Sequence, residues 1–184
     1  MKANLCLLLF CGFCVVSSLG CRKDSFVKKF GIRLERDFSV PAGLDILDAH
    51  YFVLSEMPTF YANLIAQEDV PDGAKVSLVP EKALITSRFG NIDFDFIEKV
   101  SVKIYTNANI DDKAEAFYIE YIPKSVDGEL ALIPTSFEAL PFLKDGLVNA
   151  EVKFLFKITT PQQLDLHIQM DFREIIEESK IVLE

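Results

Sequence analysis

Two aspartates in the middle of the chain could supply an acid and a base. Asp93 and Asp95 are two positions apart in a segment of alternating polarity, so both carboxylates project from one face of a strand. Paired carboxylates can act as general acid and general base, as they do in glycoside hydrolysis. However, alternation of polar and apolar residues along an ordinary strand also places two acidic residues on its solvent side. The hydrolase interpretation therefore stands beside that of a plain exposed face.

Oxygen-bearing side chains at a second place have the spacing of a calcium loop. Asn107, Asn109 and Asp111 place side-chain oxygens at alternate positions. However, Asp112 stands where an EF-hand has glycine, and Tyr118 stands where it has the bidentate glutamate. A polar hairpin loop accounts for the same residues, so calcium binding is an alternative, and no cofactor is predicted.

Other catalytic and metal-binding patterns are missing from the sequence. His50 and His167 are the only histidines, and neither has a second histidine or a cysteine at ligand spacing. No serine lies in a G-x-S-x-G motif, and the eight glycines form no phosphate-binding loop. The sequence therefore predicts a non-catalytic protein, with histidines that are exposed or hydrogen-bonded.

Tyrosines are the side chains most suited to contact a glycan, because the chain has no tryptophan. Tyr118 and Tyr121 are predicted to fall on opposite faces of one strand, and Glu120 shares the side of Tyr118. An acidic neighbour indicates the exposed side. Tyr118 and Glu120 are therefore candidate contacts for a glycan or another small ligand.

The first 21 residues differ in composition from the rest. Lys2 precedes an uncharged, mostly apolar run from Leu5 to Val16, and small or apolar residues then lead to Cys21. A charged, an apolar and a small-residue region in this order are typical of a secretory signal peptide. The apolar run is shorter than the ~20 residues that a membrane-spanning helix needs. Three outcomes are open: the segment is cleaved and the protein is secreted, the cysteine is lipidated, or the segment is retained as an anchor. In each case the rest of the chain lies outside the cytoplasm.

The end of this segment, Ser18-Leu19-Gly20-Cys21, resembles the lipobox of bacterial lipoproteins. The whole layout is similar to small cell-envelope lipoproteins of the Bacteroidetes type. The resemblance implies that residues 1–20 are a cleaved signal peptide and that Cys21 is lipidated. It also implies attachment to the outer membrane, on a face that stays undecided. All four cysteines lie in the first 21 residues, so the body must be stabilised by its core.

Charge is distributed unevenly along the chain. Residues 22–36 hold six basic and two acidic side chains, whereas residues 37–184 hold 12 basic and 26 acidic ones. A basic segment beside a lipid anchor can add about 1 kcal/mol of membrane affinity per charge on an anionic surface. With the lipidation that the resemblance implies, we expect residues 21–27 to be a lipidated N-terminus and short basic tether. A formal net charge of −9 argues against nucleic acid as a partner, because phosphates would be repelled.

The spacing of hydrophobic residues assigns the chain after the N-terminal segment to the all-β class. Along residues 148–158 and 164–172 apolar and polar side chains alternate, which predicts two strands that form an antiparallel hairpin. Seven further segments have strand character, and one of them, residues 92–105, has a slip near Ile97-Glu98 that indicates a bulge. Residues 58–67 and 136–144 could form short helices. We therefore expect residues 28–184 to form one antiparallel β-sandwich with an immunoglobulin-like two-sheet architecture and one or two short helices.

These observations together predict a lipid-anchored, non-catalytic cell-envelope protein. We expect it to bind a protein partner or to scaffold an envelope assembly. The alternative is a module that binds a glycan or another small ligand.

Overall fold

The structure is a computed structural model that describes residues 31–68, 74–90, 92–122 and 128–177. The predicted signal peptide, Cys21 and the tether lie outside the described residues. The described chain forms antiparallel strands and two short helices, which confirms the all-β prediction. In chain order the elements are β1 (Gly31–Val40), β2 (His50–Pro58), α1 (Tyr61–Gln67), β3 (Lys75–Ser87), β4 (Ile97–Thr106), β5 (Asn109–Ile119), β6 (Glu129–Pro134), α2 (Leu140–Leu143), β7 (Leu147–Phe156) and β8 (Leu164–Glu177).

The strands form one nearly closed sheet in the order β1-β8-β3-β6-β5-β4-β7-β2. Two four-stranded halves, β1-β8-β3-β6 and β5-β4-β7-β2, are joined where β5 pairs with β6. That junction consists of Phe117 opposite Pro134 and Tyr118 opposite Ile133. The fold is therefore barrel-like rather than clearly the predicted two-sheet sandwich, because this short junction makes the two halves one sheet.

β1 and β2 are the edge strands of this sheet, and side chains close the gap between them. The Arg36 Nη2 donates a hydrogen bond to the Ser55 carbonyl at 2.7 Å. Phe38 of β1 and Phe52 of β2 pack with ring centroids 5.9 Å apart. The described residues show no backbone pairing between these two strands. Closure at this place therefore depends on packing and on one side-chain hydrogen bond.

The interior is a single hydrophobic core that the alternating residues of both halves fill. On β8 every second residue from Leu164 to Phe172 is buried, as the sequence predicts. Aromatic rings supply much of the bulk, and Phe154 and Phe156 stack with centroids 5.8 Å apart. Each such ring contributes about 1.5–3 kcal/mol by its burial. The fully buried phenylalanines are Phe94, Phe117, Phe154, Phe156 and Phe172.

The strand directions define two ends of the barrel. β1 begins at Gly31 at one end, which we call the proximal end, and reaches the opposite, distal end at Val40. Because all pairings are antiparallel, the connections β1–β2, β3–β4, β5–β6 and β7–β8 lie at the distal end. The connections β2–β3, β4–β5 and β6–β7, with both helices, lie at the proximal end.

The pairing of the last two strands differs from the prediction. β7 pairs with β2 and β4, whereas β8 pairs with β1 and β3, so the expected hairpin is wrong. The short β7–β8 connection instead crosses the distal end past the edge strands.

Another correction concerns Ile158, which was expected on the core face but is exposed because β7 ends at Phe156. The predicted bulge is confirmed as a register shift between Ile97 and Lys99.

Candidate functional site: the distal loop surface

The distal end carries the most exposed large apolar side chains of the described residues. Leu47 is 88% exposed, Tyr121 is 77% exposed and Phe89 is 68% exposed. Each belongs to a connection between strands and not to a strand. Exposed apolar groups on loops of a rigid scaffold are typical of binding surfaces. We call this set the distal loop surface, which consists of Ile46, Leu47, Phe89, Tyr121 and Ile158.

A buried threonine fastens the β1–β2 connection to the β7–β8 connection. The Oγ1 of Thr160 accepts the Leu44 N–H at 2.8 Å and donates to the Pro41 carbonyl at 2.9 Å. The Thr160 carbonyl accepts the Gly43 N–H at 3.0 Å. Thr160 is 2% exposed, so these bonds are shielded from water. Two loops that are distant in sequence are thereby held as one unit.

Lys157 bonds the β7–β8 connection to two further connections at the distal end. Its Nζ donates to the carbonyls of Asp95 at 3.1 Å and Ile122 at 3.3 Å. The same ammonium lies 6.0 Å from the centroid of the Tyr121 ring. This lysine therefore links three connections, and its charge is directed at backbone carbonyls and an aromatic ring.

The position of Leu47 is fixed by a turn that a carboxylate caps. The Asp45 Oδ1 accepts the N–H groups of Leu47 at 2.9 Å and Asp48 at 3.0 Å. The backbone hydrogen bond from Asp48 and then that from Leu47 lower the pKa of Asp45 below its ordinary value. The exposed leucine thus lies on an ordered turn.

The two aspartates considered as an acid–base pair line a pocket at the distal end. They do not project from a strand as predicted, because β4 begins only at Ile97. The pocket has a volume of about 350 Å³ and combines Asp93, Asp95 and Gln162 with an apolar wall that includes Phe96 and Pro161. The Asp93 Oδ1 accepts the Asp95 N–H at 3.0 Å, so this carboxylate caps its own turn. The remaining carboxylate and amide groups can accept hydrogen bonds from hydroxyl or ammonium groups.

The residues considered for calcium form the tight β4–β5 hairpin at the proximal end. The Asn107 Oδ1 accepts a hydrogen bond from the Asn149 Nδ2 at 2.7 Å. The Asn109 Nδ2 lies 3.5 Å from the Asp112 Oδ2, and Asp111 is exposed on β5. The oxygen of Asn107 is thus directed toward an amide of β7. No cluster of three or more His, Cys, Asp or Glu side chains suited to a metal occurs within the described residues.

Neither Tyr118 nor Glu120 lines the distal pocket, since Tyr118 lies on the side wall of the barrel and Glu120 lies just beyond the end of β5. Tyr118 is half-buried between Ser101 of β4 and Ile133 of β6. The Glu120 carboxylate pairs with the Lys99 ammonium at 2.7 Å, a contact that lowers the pKa of Glu120 and raises that of Lys99. Tyr121 is the more exposed tyrosine, contrary to expectation, because β5 ends at Ile119 and the alternation stops there.

Both histidines are hydrogen-bonded, in agreement with the prediction. The His50 Nε2 lies 3.0 Å from the Asp45 carbonyl. The His167 Nδ1 lies 2.7 Å from the Asp37 Oδ1, and Arg88 pairs with the same carboxylate at 2.9 Å. Each imidazole ring thus has a hydrogen-bond partner close to it in the structure. None of the described helices is long and apolar enough to cross a membrane.

Comparisons with known proteins give no family for this chain. No protein-family model matches it, and no curated protein matches it either. Among solved structures, a chain in the structure of the Gt strain of infectious bursal disease virus has 11% sequence identity to it. The alignment covers 89% of this chain but only 37% of the viral chain, with a TM-score of 0.24. A likeness at this level carries no argument about function.

Sequence reasoning missed most of the distal loop surface. Leu47 and Phe89 lie in turn-rich connections, where alternation does not show which side a residue faces. Their signal was nevertheless present, since a large apolar residue inside a polar turn segment has no strand face on which to be buried. Gln162 was missed because only the folded chain brings the β7–β8 connection beside Asp93.

Proposed function

We propose that this protein is a lipid-anchored, non-catalytic cell-envelope protein that binds a protein partner through its distal loop surface. The lipid anchor at Cys21 is the part of the proposal that the sequence supports, through the lipobox-like segment. The partner-binding part is supported by the arrangement of the loops.

The observation that carries the proposal is that the most exposed apolar side chains lie at one end. Leu47, Tyr121 and Phe89 are the three most exposed large apolar residues in the described chain, and all three lie at the distal end. Aromatic side chains such as Tyr121 and Phe89 are enriched in the buried core of protein interfaces. The loops that carry them are hydrogen-bonded to one another, so little conformational entropy is lost on binding.

The position of the tether agrees with this use of the distal end. Cys21 lies ten residues before Gly31, where β1 begins at the proximal end. Because the tether joins the barrel at the proximal end, an anchor at Cys21 leaves the distal end accessible to an envelope protein.

Purification from native membranes tests the partner-binding part. The full-length, C-terminally tagged protein is solubilised in detergent, and co-purifying proteins are quantified by mass spectrometry. We expect one stoichiometric partner with the wild type and its loss with L47D/Y121D. The matched control is F60D/L147D, which changes two exposed apolar residues at the proximal end and should retain the partner.

Either of two results would refute the partner-binding proposal: no stoichiometric partner with the wild type, or equal retention by L47D/Y121D. Anchoring is tested separately with Cys21→Ala. This variant should lose acyl labelling and leave the membrane fraction, and persistent labelling would contradict the lipidation proposal.

A second candidate function is the binding of a small hydroxylated ligand, such as a glycan, in the distal pocket. The observation in its favour is the pocket itself, in which hydrogen-bonding groups adjoin an apolar wall. A thermal-shift screen with neutral mono- and disaccharides would detect such a ligand. Loss of the shift in Gln162→Ala would assign binding to the pocket, whereas loss in Tyr118→Ala would assign it to the side wall. The absence of any shift would remove this candidate.

A further inference from the structure

Three large apolar side chains are exposed along the rim of the proximal end. Phe60 is 61% exposed, Ile110 is 59% exposed and Leu147 is 49% exposed. Phe60 follows the end of β2, Leu147 is the first residue of β7, and Ile110 lies beside the turn between β4 and β5. These strands are neighbours in the sheet, in the order β5-β4-β7-β2. We call this set the proximal apolar rim, which consists of Phe60, Ile110 and Leu147.

Hydrogen bonds between separate connections hold the proximal apolar rim together. The Thr59 N–H donates to the Gly146 carbonyl at 3.0 Å, and each of these two residues directly precedes a member of the rim. The Asn149 Nδ2 donates to the Asn107 Oδ1 at 2.7 Å, which fastens the β4–β5 hairpin to β7. The rim is therefore an ordered feature, although its members come from three distant parts of the chain.

The backbone of Phe60 has a conformation that an aromatic residue rarely adopts. Its φ is 53°, in the left-handed region that is unfavourable for residues other than glycine. The Phe60 carbonyl accepts the N–H groups of Asn63 and Leu64, both at 3.1 Å, so the backbone is fixed at this place. Because the ring is mostly exposed, burial in the core does not offset the strain. The fold thus holds an aromatic ring outward at the proximal end.

The tether joins the barrel at the same end as this rim. β1 begins at Gly31, and β1 and β2 are the edge strands that face each other across the gap in the sheet. Phe60, just beyond the end of β2, is therefore the rim residue on the strand next to the tether. Cys21 lies ten residues before Gly31, so a lipid on Cys21 is no more than about 36 Å from the beginning of β1. A bilayer that holds this lipid is thus within reach of the rim and at high local concentration.

Charge does not select the occupant of the rim. Four exposed charged residues lie within three positions of a rim residue in sequence, and one of them is basic: Lys144, Asp145, Asp111 and Asp112. This set does not attract an anionic surface. The occupant is instead one that gains from apolar contact and accepts side chains protruding from separate turns without a matching shape. The apolar boundary beneath the headgroups of a fluid, neutral bilayer has both properties.

We propose that the proximal apolar rim lies in the headgroup region of the bilayer that holds the lipid anchor, with its three side chains inserted into the apolar boundary. This contact depends on the proposed anchor at Cys21, to which it adds a second and weaker attachment. The two attachments together hold the barrel upright on the membrane. The distal loop surface is then directed away from the bilayer.

Photo-crosslinking in vesicles tests this inference. The full-length, lipidated protein carries a photo-reactive phenylalanine derivative in place of Phe60 and is reconstituted into phosphatidylcholine vesicles. We expect a cross-link to phosphatidylcholine, detected by mass spectrometry, and at least about tenfold less from the same derivative at Leu47 of the distal end. With the derivative kept at Phe60, I110D/L147D should lower the lipid cross-link by about fivefold or more, because two apolar contacts become charged. I110L/L147M keeps both side chains apolar and should preserve the yield.

Two further variants control for general effects of charge and for misfolding. L47D/Y121D adds the same number of acids at the distal end and should leave the lipid cross-link from Phe60 unchanged. I110S/L147S removes the apolar side chains without adding charge, and it should give an intermediate yield even if the acidic variant folds poorly.

Flotation of the vesicles in a density gradient distinguishes failure of the rim contact from failure of the anchor. A wild-type protein that does not float with the vesicles would contradict the anchor and, with it, the rim contact. Four results with a protein that does float would overturn the rim contact alone. They are no lipid cross-link from Phe60, equal lipid cross-links from Phe60 and Leu47, a cross-link to a second copy instead of lipid, and a yield that I110D/L147D does not change.

Discussion

The two ends of the barrel are held in similar ways but expose different surfaces. At the distal end, buried Thr160 joins the β1–β2 and β7–β8 connections. At the proximal end, Thr59 has the same role, because its Oγ1 donates to the Leu143 carbonyl at 2.7 Å and its N–H donates to the Gly146 carbonyl at 3.0 Å. Both threonines are 2% exposed.

The two ends differ in whether their connections bury or expose apolar residues. At the proximal end Ala139 and Leu143 are fully buried, and Tyr61 and Leu64 of α1 pack against the core. These connections cover the end of the barrel. At the distal end the connections hold no helix in the described residues, and they direct Leu47, Phe89 and Tyr121 outward. The proximal end also exposes Phe60 and Leu147, but each of them less than these three residues, so the comparison makes the distal end the better candidate for contact.

The largest effect should come from the core on which both ends depend. Phe154 is fully buried and packs against Phe38, Phe52 and Phe156. Phe154→Ala should lower the free energy of unfolding by about 3–5 kcal/mol, because it leaves a cavity beside the closing strands. Denaturant unfolding measures this loss. A loss below about 1 kcal/mol would mean that the edge strands are not supported by this aromatic cluster.

The paired threonines allow each end to be weakened separately. Thr160→Val should cost about 1–3 kcal/mol, since it leaves the Leu44 N–H and the Pro41 carbonyl without a partner inside the protein. Hydrogen exchange should become faster at Leu44. Thr59→Val is the matched variant, and it should speed exchange around α1 while sparing the distal loops. Equal changes at both ends in either variant would contradict the independence of the two ends.

Acid should loosen the distal loops before it affects the proximal end. The folded protein lowers the pKa of Asp45, so the stabilisation by this carboxylate is present above the ordinary value of about 3.9 and is lost as the pH falls through the lower folded value. Amide exchange at Leu47 and Asp48, corrected for intrinsic rates, should then increase. Asp45→Asn should abolish this pH dependence, and its persistence would assign the effect to another group.

The smallest effect on stability should come from the distal loop surface itself. Leu47→Asp changes a residue that is 88% exposed, so the free energy of unfolding should shift by no more than about 0.5 kcal/mol. Denaturant unfolding again provides the measurement, with Phe60→Asp as its proximal counterpart. A loss of several kcal/mol in Leu47→Asp would mean that this side chain supports the fold and is not held ready for a partner.

Strand content was predictable because period-2 alternation is local. The pattern identified β8 from Leu164 to Phe172 and the slip at Ile97, since each depends on neighbouring residues alone. Pairing was not predictable, because the partners of β7 and β8 are chosen by the closure of the whole sheet. The change from a two-sheet sandwich to a barrel-like sheet depends on two residue pairs between β5 and β6.

The candidate site was predictable only in part, for the same physical reason. Asp93 and Asp95 were identified together because their spacing is local, and they do lie at one pocket. The exposure of Ile158 and Tyr121 could not be derived, because each lies just beyond the end of a strand, where alternation no longer fixes the direction of a side chain. Predicted contacts at Tyr118 and Glu120 remain predictions.

The most direct test of the account compares the two ends within the intact, membrane-attached protein. A photo-reactive phenylalanine derivative is placed at Leu47 in one sample and at Phe60 in another, since both sites are exposed and lie at opposite ends. After irradiation in native membranes, cross-linked proteins are identified by mass spectrometry. We expect one dominant protein partner from Leu47 and none of it from Phe60. The same partner from Phe60 alone, or no protein cross-link from Leu47, would mean that the distal loop surface does not bind the partner.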